Sequence, residues 1–412
     1  MSDLAARFVD LAERERVFWL DGGGSRTWSG RRSLLGALGD EDVSLTYDAT
    51  AREVRRHTGT HDEVVGDDVF AVLAEEVARD AGDPRVGWAG YLGYACRPDL
   101  PATPSATVPD AVWMRVRDPV FVDHPIGPQA PARTPTAATG PVPDDYAAAF
   151  AEVQRQLRLG NSYEVNLTYR EQLESVVDPV TAYLRLRAAS PAPYAGFLRH
   201  RGVHLLSSSP ERYATVDREG WLETRPIKGT TPRGASTEQD QEHRTALATD
   251  PKFRAENLMV VDLLRNDLSM VCEAGTVSVP SLMAVESYAS VHQLVSTVRG
   301  RLRPGVGTVE ALRALFPAGS MTGAPKRRTM EVVEAVEGSP RGVYAGAFGW
   351  IGADGRADLG VVIRSLVATA TDTGWRYELG TGGGITVRSD LAEEWAETRW
   401  KAERLRSVLQ VT

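Results

Sequence analysis

YAGFLRHRGVHLLSSSPERYATVD, residues 194–217, carries three short strands in succession: YAGFLRH, VHLLSSS and RYATVD. EVNLTYR (164–170) reads as a fourth strand ahead of them, and DLGVVIRSLVATA (358–370) and WRYELGTGGGI (375–385) as two more near the end. Strands and helices do not alternate in regular βαβ units, so the reading is α+β with mostly antiparallel sheets. Upstream, VGWAGYLGYA (86–95) is a strand with small residues where backbones approach closely. VWMRVRDPVFVD (112–123) alternates apolar and polar residues as half-buried antiparallel strands do.

Three helices frame these strands. Asp144 caps one that runs through Leu159, with Tyr146, Phe150, Val153 and Leu157 on one face and Gly160 as its stop. Asp250-Pro251 starts a second, an N-cap followed by proline at the first helical position, continuing through FRAENLMVVDLLRND. Asp390 and Glu393 make a capping box for a third that reaches about Leu409.

HPIGPQAPARTPTAATGPVPDD (124–145) differs in composition from the rest. Its prolines remove backbone donors and bulky side chains are nearly absent, which suits an exposed linker or a long surface loop inside one fold. It divides the chain into an N-terminal region, 1–123, and a larger region, 146–412.

The 412 residues allow one to three domains at ~150 residues each. With 42% hydrophobic and 25% charged residues the chain is globular rather than disordered or fibrous. Its 47 Lys+Arg against 55 Asp+Glu give a net charge of −8, which provides no general basic field for nucleic acid or an anionic membrane. No apolar run reaches the ~18 residues of a membrane span, and the N-terminus lacks the order of a signal peptide. Two cysteines, Cys96 and Cys272, form neither a disulfide framework nor a four-ligand zinc site, and suit a reducing cytoplasm.

Several motifs fail. His57 and His61 have metal-ligand spacing, but Thr58-Gly59-Thr60 between them disfavours a helix, and a surface loop accounts for them better. The glycines at 380 and 382–384 follow a strand, yet Ile385 takes the place of the last glycine of a dinucleotide fingerprint. Neither a phosphate-binding G-x-x-x-x-G-K-[ST] nor a G-x-S-x-G nucleophile elbow occurs.

Three features carry chemistry. Glu394, Glu397 and Lys401 project from one face of the last helix, and Glu256 stands in an apolar stretch of the second. Carboxylates converging from two helices suit Mg²⁺, whose octahedron is completed by water and substrate oxygens; a solvated face with surface ion pairs explains the spacing as well. Lys228, in RPIKGTTPRG, is held on a short strand or turn, where desolvation lowers a lysine pKa and frees a nucleophilic amine; most lysines are simply solvated. Gly382–Gly384 can offer bare backbone N–H groups to a carboxylate, and Arg364, read as an intrastrand residue of GVVIRSL, can bind one bidentately. Tight turns and an ordinary ion pair are the plainer readings.

SSSPERY, ETRPIKGTTPRG, AENLMVVDLLRNDLS, SYASVHQLVSTVRG, FPAGSMTGAPKRRTMEVVE, RGVYAGAFGWI, DLGVVIRSL and GTGGGI…EEWAETRWKAE follow one another in this order. Together they resemble the chorismate-utilising enzymes, from about Tyr146 to the C-terminus, with a weaker likeness through SGRRSLLG and GWAGYLGY. The resemblance implies two facing antiparallel sheets with helices outside and the active site in the cleft. It implies Mg²⁺ on Glu256 and Glu397, with Glu394 close or water-linked, taking the ring carboxylate of chorismate. Tyr344, Arg364 and the amides of Gly382 and Gly384 correspond to ligands of the enolpyruvyl carboxylate, Thr230, Ser320 and Lys401 to pocket-lining positions, and Glu211 to the general acid/base.

PIKGT, with Lys228, resembles the aminodeoxychorismate synthase branch, whereas anthranilate-type enzymes resemble PIAGT. In that branch the lysine adds to carbon 2 as the 4-hydroxyl leaves, and ammonia then enters at carbon 4. Amination at carbon 2, or a non-catalytic chorismate-binding homologue, are the alternatives. Glu164 stands where many relatives have glutamine and where isochorismate and salicylate synthases have a lysine that activates water. Gln293 replaces a histidine that relatives place near the leaving hydroxyl, and His292, one residue off on a strand, faces the other way. No glutaminase is expected in the chain, so ammonia comes from a separate amidotransferase subunit or from solution. Leu20-Asp21-Gly22 and Gly30-Arg31-Arg32-Ser33 only partly match the tryptophan-binding motifs of anthranilate-type relatives.

Overall fold

The computed structural model describes residues 3–22, 32–124, 140–288 and 291–410. Tyr194–His200 and Val203–Ser209 form a hairpin through the two-residue turn Arg201-Gly202, in register from Tyr194↔Ser209 to His200↔Val203. The third strand of the quoted stretch, Arg212–Val216, does not join them. The chain leaves one sheet at Ser209 and enters a second at Arg212, pairing there with Ala357–Val361.

The two sheets are α+β architecture built from antiparallel pairs. Among the described residues the first has nine strands, with the order Gly323–Ala324, Glu164–Ser175, Gly374–Ile385, Ser365–Thr371, Val203–Ser209, Tyr194–His200, Arg16–Asp21, Arg32–Ala37, Val120–Asp123. The second has twelve, running from Ile227–Pro232 through Val291–Arg301, Arg212–Val216, Ala357–Val361, Ala347–Gly352 and Val86–Leu92 to His61–Gly66. Phe18, Leu198 and Leu205 of the first sheet pack against Ala89, Tyr91 and Phe348 of the second, so the sheets face each other across an apolar layer. Each large side chain buried there contributes about 1.5–3 kcal/mol. The helices cover the outer faces. Asp3–Leu11, Pro179–Ala189 and Leu391–Ser407 lie on the first sheet, and Val69–Arg79, Pro251–Ser269 and Thr308–Leu315 on the second. Among the described residues no helix is long and apolar enough to cross a membrane.

Residues 125–139 of the Pro/Ala-rich stretch lie outside the described residues. The regions on either side of it share both sheets: Arg16–Asp21 pairs with Tyr194–His200, and Val86–Leu92 with Ala347–Gly352. On Val86–Leu92, Gly90 meets the expectation of close backbone approach, since a Cβ there would sit 2.0 Å from the Val112 carbonyl oxygen.

Local signals held where the chemistry of a single residue decides. Asp250 accepts hydrogen bonds from the Lys252 and Phe253 amides with Pro251 at the first helical position, and Asp390 accepts from Ala392 and Glu393. Gly160, with φ of +75°, follows the end of Asp144–Arg158. Asp144, however, is the first helical residue and not the cap; Pro143 takes the cap position with no side-chain bond.

Four readings need correction. Ala111–Arg117 is buried on both faces as far as Met114, because it is a central strand, and Asp118 at φ +52° separates it from Val120–Asp123. DLGVVIRSLVATA is two strands in different sheets, Ala357–Val361 and Ser365–Thr371. Arg364 is therefore not intrastrand: it stands at the crossing with φ +52°. His57 and His61 lie on the two strands of a hairpin, Glu53–Thr58 and His61–Gly66, not in a loop. The His57 imidazole is buried between Asp62 and Thr46, which satisfies both ring nitrogens.

Candidate active site

Two sheet crossings lie side by side. Ser207 pairs with Ser365 just before the chain departs, and Arg212 pairs with Gly360 just after it arrives. Backbone bonds tie the crossings together, Ser208 N–H to the Arg364 carbonyl (3.1 Å) and Val361 N–H to that of Glu211 (3.0 Å). Glu211 and Arg364 therefore line one cleft. Lys228, Thr230 and Gln293 reach it from the second sheet, Tyr344 from the segment before Ala347–Gly352, and Gly382–Gly384 from the first sheet. Ser320 comes from the turn Gly319–Met321, Lys252 and Glu256 from Pro251–Ser269, and Glu394, Glu397 and Lys401 from Leu391–Ser407. All thirteen residues singled out in the sequence for catalysis, substrate or metal line this one cavity.

Glu211 is buried, and Ser320 Oγ donates to its Oε1 at 2.6 Å. Burial pushes its carboxyl up to about 7, against the opposing influence of Ser320, Lys228 and Lys401. A carboxyl with that pKa can both give and take a proton near neutrality. Thr230 pairs across the sheet with Gln293, so both side chains border the same part of the cleft. His292 faces away as the strand alternation requires, bonded to Ser287 (2.8 Å) and Asp240 (3.1 Å).

The Arg364 guanidinium stacks over Trp400 at 5.4 Å from the ring centroid. Burial, then Arg404, lowers its pKa to about 10, so it remains a cation near neutral pH. Pairing of Gly374–Ile385 with Ser365–Thr371 ends at Leu379, which leaves one edge of the glycine run facing the cleft. The Gly382 carbonyl accepts from Lys401 Nζ at 2.8 Å on that edge, and in a strand a residue's N–H points the same way as its C=O. The amides of Gly382 and Gly384 thus face the cavity. Arg364 and these amides converge with the Tyr344 hydroxyl group on a site suited to a carboxylate.

The carboxylates at the other end are matched by lysines. Lys252 Nζ donates to Glu394 Oε1 at 2.6 Å, and Lys401 Nζ lies 2.7 Å from Glu397 Oε1. Glu394 is fully buried, whereas Glu397 is 45% exposed because its side chain borders the open cavity. Lys401 holds the Glu397 carboxyl below its ordinary value. Among the described residues Glu256 has no such partner. Its Oε1 is buried without a hydrogen bond, and burial, then the nearby Glu164 carboxylate, pushes its pKa up to about 8. Among the described residues no three acidic or imidazole groups enclose a metal by themselves. The donor set, an orphaned buried carboxylate oxygen beside two further carboxylates, still fits a hard divalent cation that completes its shell with substrate oxygen and water.

Lys228 corrects the sequence reading. It lies on Ile227–Pro232 and is buried, but its pKa is not lowered. Burial alone acts downward; the carboxylates of Glu164, Glu256 and Glu211 outweigh it, and the net shift is upward. Its Nζ donates to Glu164 Oε1, a partner that the sequence left without a role. Lys252 was likewise missed. Its place one helical turn before Glu256 was the available signal.

Comparison with known proteins identifies the family and the fold. The family described as chorismate binding enzyme matches residues 16–407. Aminodeoxychorismate synthase of Streptomyces pristinaespiralis is 39% identical over 99% of this chain and 64% of its own length. Aminodeoxychorismate synthase component 1 of Klebsiella aerogenes is 42% identical over 64% of this chain and 57% of its own. The chain thus spans less than two thirds of these relatives. The crystal structure of anthranilate synthase component I from Streptococcus pneumoniae superposes with a TM-score of 0.76 at 24% identity, covering 92% of this chain and 93% of that one, a likeness of fold.

Proposed function

This chain belongs to the family of chorismate binding enzymes, and from that premise we propose that it aminates chorismate at carbon 4. The product is 4-amino-4-deoxychorismate. The observation that carries the choice of carbon is Lys228, a buried amine facing the cavity within the same cleft as Glu211. Arg364, Tyr344 and the amides of Gly382 and Gly384 hold the enolpyruvyl carboxylate, with Lys401 and Ser320 closing the pocket. The Lys228 amine adds to carbon 2 while the 4-hydroxyl departs. Ammonia then adds at carbon 4 and expels the lysine, so one difficult displacement becomes two allylic steps. Gln293 and Thr230 border the leaving hydroxyl but cannot supply its proton, and that role falls to Glu211.

Glu256 and Glu397, with Glu394 beside them, would hold Mg²⁺, which when bound fixes the ring carboxylate and offsets its charge. Ammonia reaches the site from solution or from a separate glutamine amidotransferase subunit. Chorismate consumption that requires both Mg²⁺ and an ammonium salt tests the reading; a chain that binds chorismate without consuming it is a non-catalytic homologue instead.

Glu211 gives a pH signature. Its carboxyl, raised to about 7 by burial, loses its proton as the pH rises through that value. Turnover limited by departure of the hydroxyl should therefore decline above pH 7, approaching tenfold per pH unit. Glu211→Gln should lose that limb and run on the order of 100-fold or more slower. A pH–rate profile with an unchanged limb in the variant would remove Glu211 from the acid role.

Tryptophan should inhibit weakly or not at all. Asp21, the anion nearest the partly matched motif, is 3% exposed and already paired with Arg187 and hydrogen-bonded by Ser33. Residues 23–31, which include Gly30 and Arg31, lie outside the described residues. An inhibition curve falling at micromolar tryptophan would contradict this expectation.

A further inference from the structure

We infer that Glu164 is the proton acceptor that converts Lys228 from an ammonium into a nucleophilic amine, an inference that rests on the amination reading above. An ammonium has no lone pair, so the first bond to carbon 2 requires that Lys228 shed a proton. Both groups are buried, Glu164 at 1% exposure and Lys228 at 8%, and the acceptor must already be in contact. Glu164 is that contact: Lys228 Nζ donates to its Oε1, and among the described residues its buried Oε2 has no hydrogen-bond partner.

The pair is built into the backbone. Glu164 opens the strand Glu164–Ser175, pairs with Ala324 on one side, and its carbonyl accepts from Ser162 Oγ at 2.7 Å. On the other side lies Gly384. A Cβ at Gly384 would stand 2.2 Å from Glu164 Oε1 and 3.2 Å from Lys228 Nζ, so the absence of a side chain at 384 makes the room in which the ion pair sits. The remaining carboxyls facing Lys228 have other partners or tasks. Glu211 is bonded by Ser320 and delivers the leaving-group proton, and Glu256 belongs to the cation end of the cleft. The net upward shift of Lys228 supports the need for a base in this chain. A glutamine at 164 would leave the amine to lose its proton to water; the glutamate provides an internal acceptor.

The steps balance. Lys228 passes one proton to the Glu164 carboxylate, leaving a neutral amine and a carboxylic acid. The amine bonds to carbon 2 as both ring double bonds shift and the carbon 4–oxygen bond breaks, and the hydroxyl takes the Glu211 proton and leaves as water. Ammonia bonds to carbon 4, the carbon 2–nitrogen bond breaks, and Lys228 departs as an amine. The new ammonium returns a proton to Glu211, and Glu164 returns its own to Lys228.

The test times the adduct on the Lys228 peptide by mass spectrometry, with chorismate and Mg²⁺ but no ammonia. Glu164→Gln, which keeps size but cannot accept a proton, should form adduct on the order of tenfold to 100-fold more slowly than wild type. Glu164→Ala should be slower still and accelerated by formate but not by formamide. Adduct formation at the wild-type rate in Glu164→Gln overturns the inference while leaving Lys228 as nucleophile. Equal effects of formate and formamide, or no effect of either, also overturn it. No adduct in wild type sinks the covalent reading and this inference with it.

Discussion

Lys228→Ala is expected to lose carbon-4 amination by about 1,000-fold or more, which is about 4 kcal/mol of transition-state stabilisation. The change removes one side chain at the cleft wall, on a strand whose pairing with Val291–Arg301 is made by backbone. Folding and Mg²⁺ binding should therefore survive. The substitution also leaves Glu164 buried without its cation, which costs some stability of its own. With no amine at position 228 to take carbon 2, direct attack of ammonia on carbon 2 is the expected residual reaction. Product chromatography on the purified variant checks both statements. Wild-type rates of 4-amino-4-deoxychorismate formation would reduce Lys228 to an electrostatic contact.

Glu256→Gln should have opposite effects on catalysis and stability. In catalysis it removes a charge from the cation end at constant size, and turnover at limiting Mg²⁺ should fall by roughly 1,000-fold. Glu397→Gln should fall similarly. In stability the sign is reversed. The Glu256 carboxyl is raised from 4.5 to about 8 in the folded chain, so the folded state holds its proton more tightly than the unfolded one. That contribution is present below pH 4.5 and is lost as the pH rises to about 8. Without metal at pH 8, Glu256→Gln should therefore be more stable than wild type by about 1–3 kcal/mol. Added Mg²⁺ should raise the Tm of wild type and leave the variant unmoved. Denaturation in a chelator and in Mg²⁺ measures both. Lower stability of the variant without metal, together with unchanged turnover, would remove Glu256 from the cation site.

The legible parts of this chain were those decided by neighbouring residues. Asp250-Pro251 and Gly160 mark helix ends through their own backbone chemistry, and they did so correctly. The alternation that turns His292 away from Gln293 is equally local. Asp178-Pro179 carries the same N-cap signal as Asp250-Pro251 and starts the helix Pro179–Ala189, which went unread between two strands. What could not be read was long-range. Nothing in GVVIRSL marks Arg364 as the point where the chain changes sheets, because the β-branched and apolar residues around it suit one continuous strand. The buried pair of Glu164 with Lys228 spans 64 residues and two sheets, and it reversed the expected direction of the Lys228 pKa. Desolvation of that lysine was weighed against plain solvation; its counter-ion was not foreseen.

The most direct test is the regiochemistry of the product. Purified chain, chorismate, Mg²⁺ and an ammonium salt are incubated, aminodeoxychorismate lyase is added, and the aromatic amino acid is identified by chromatography and mass spectrometry. Amination at carbon 4 predicts para-aminobenzoate, formed only when the lyase is present. Anthranilate, or a 2-amino-2-deoxyisochorismate that the lyase leaves untouched, would place the nitrogen on carbon 2 and contradict the account.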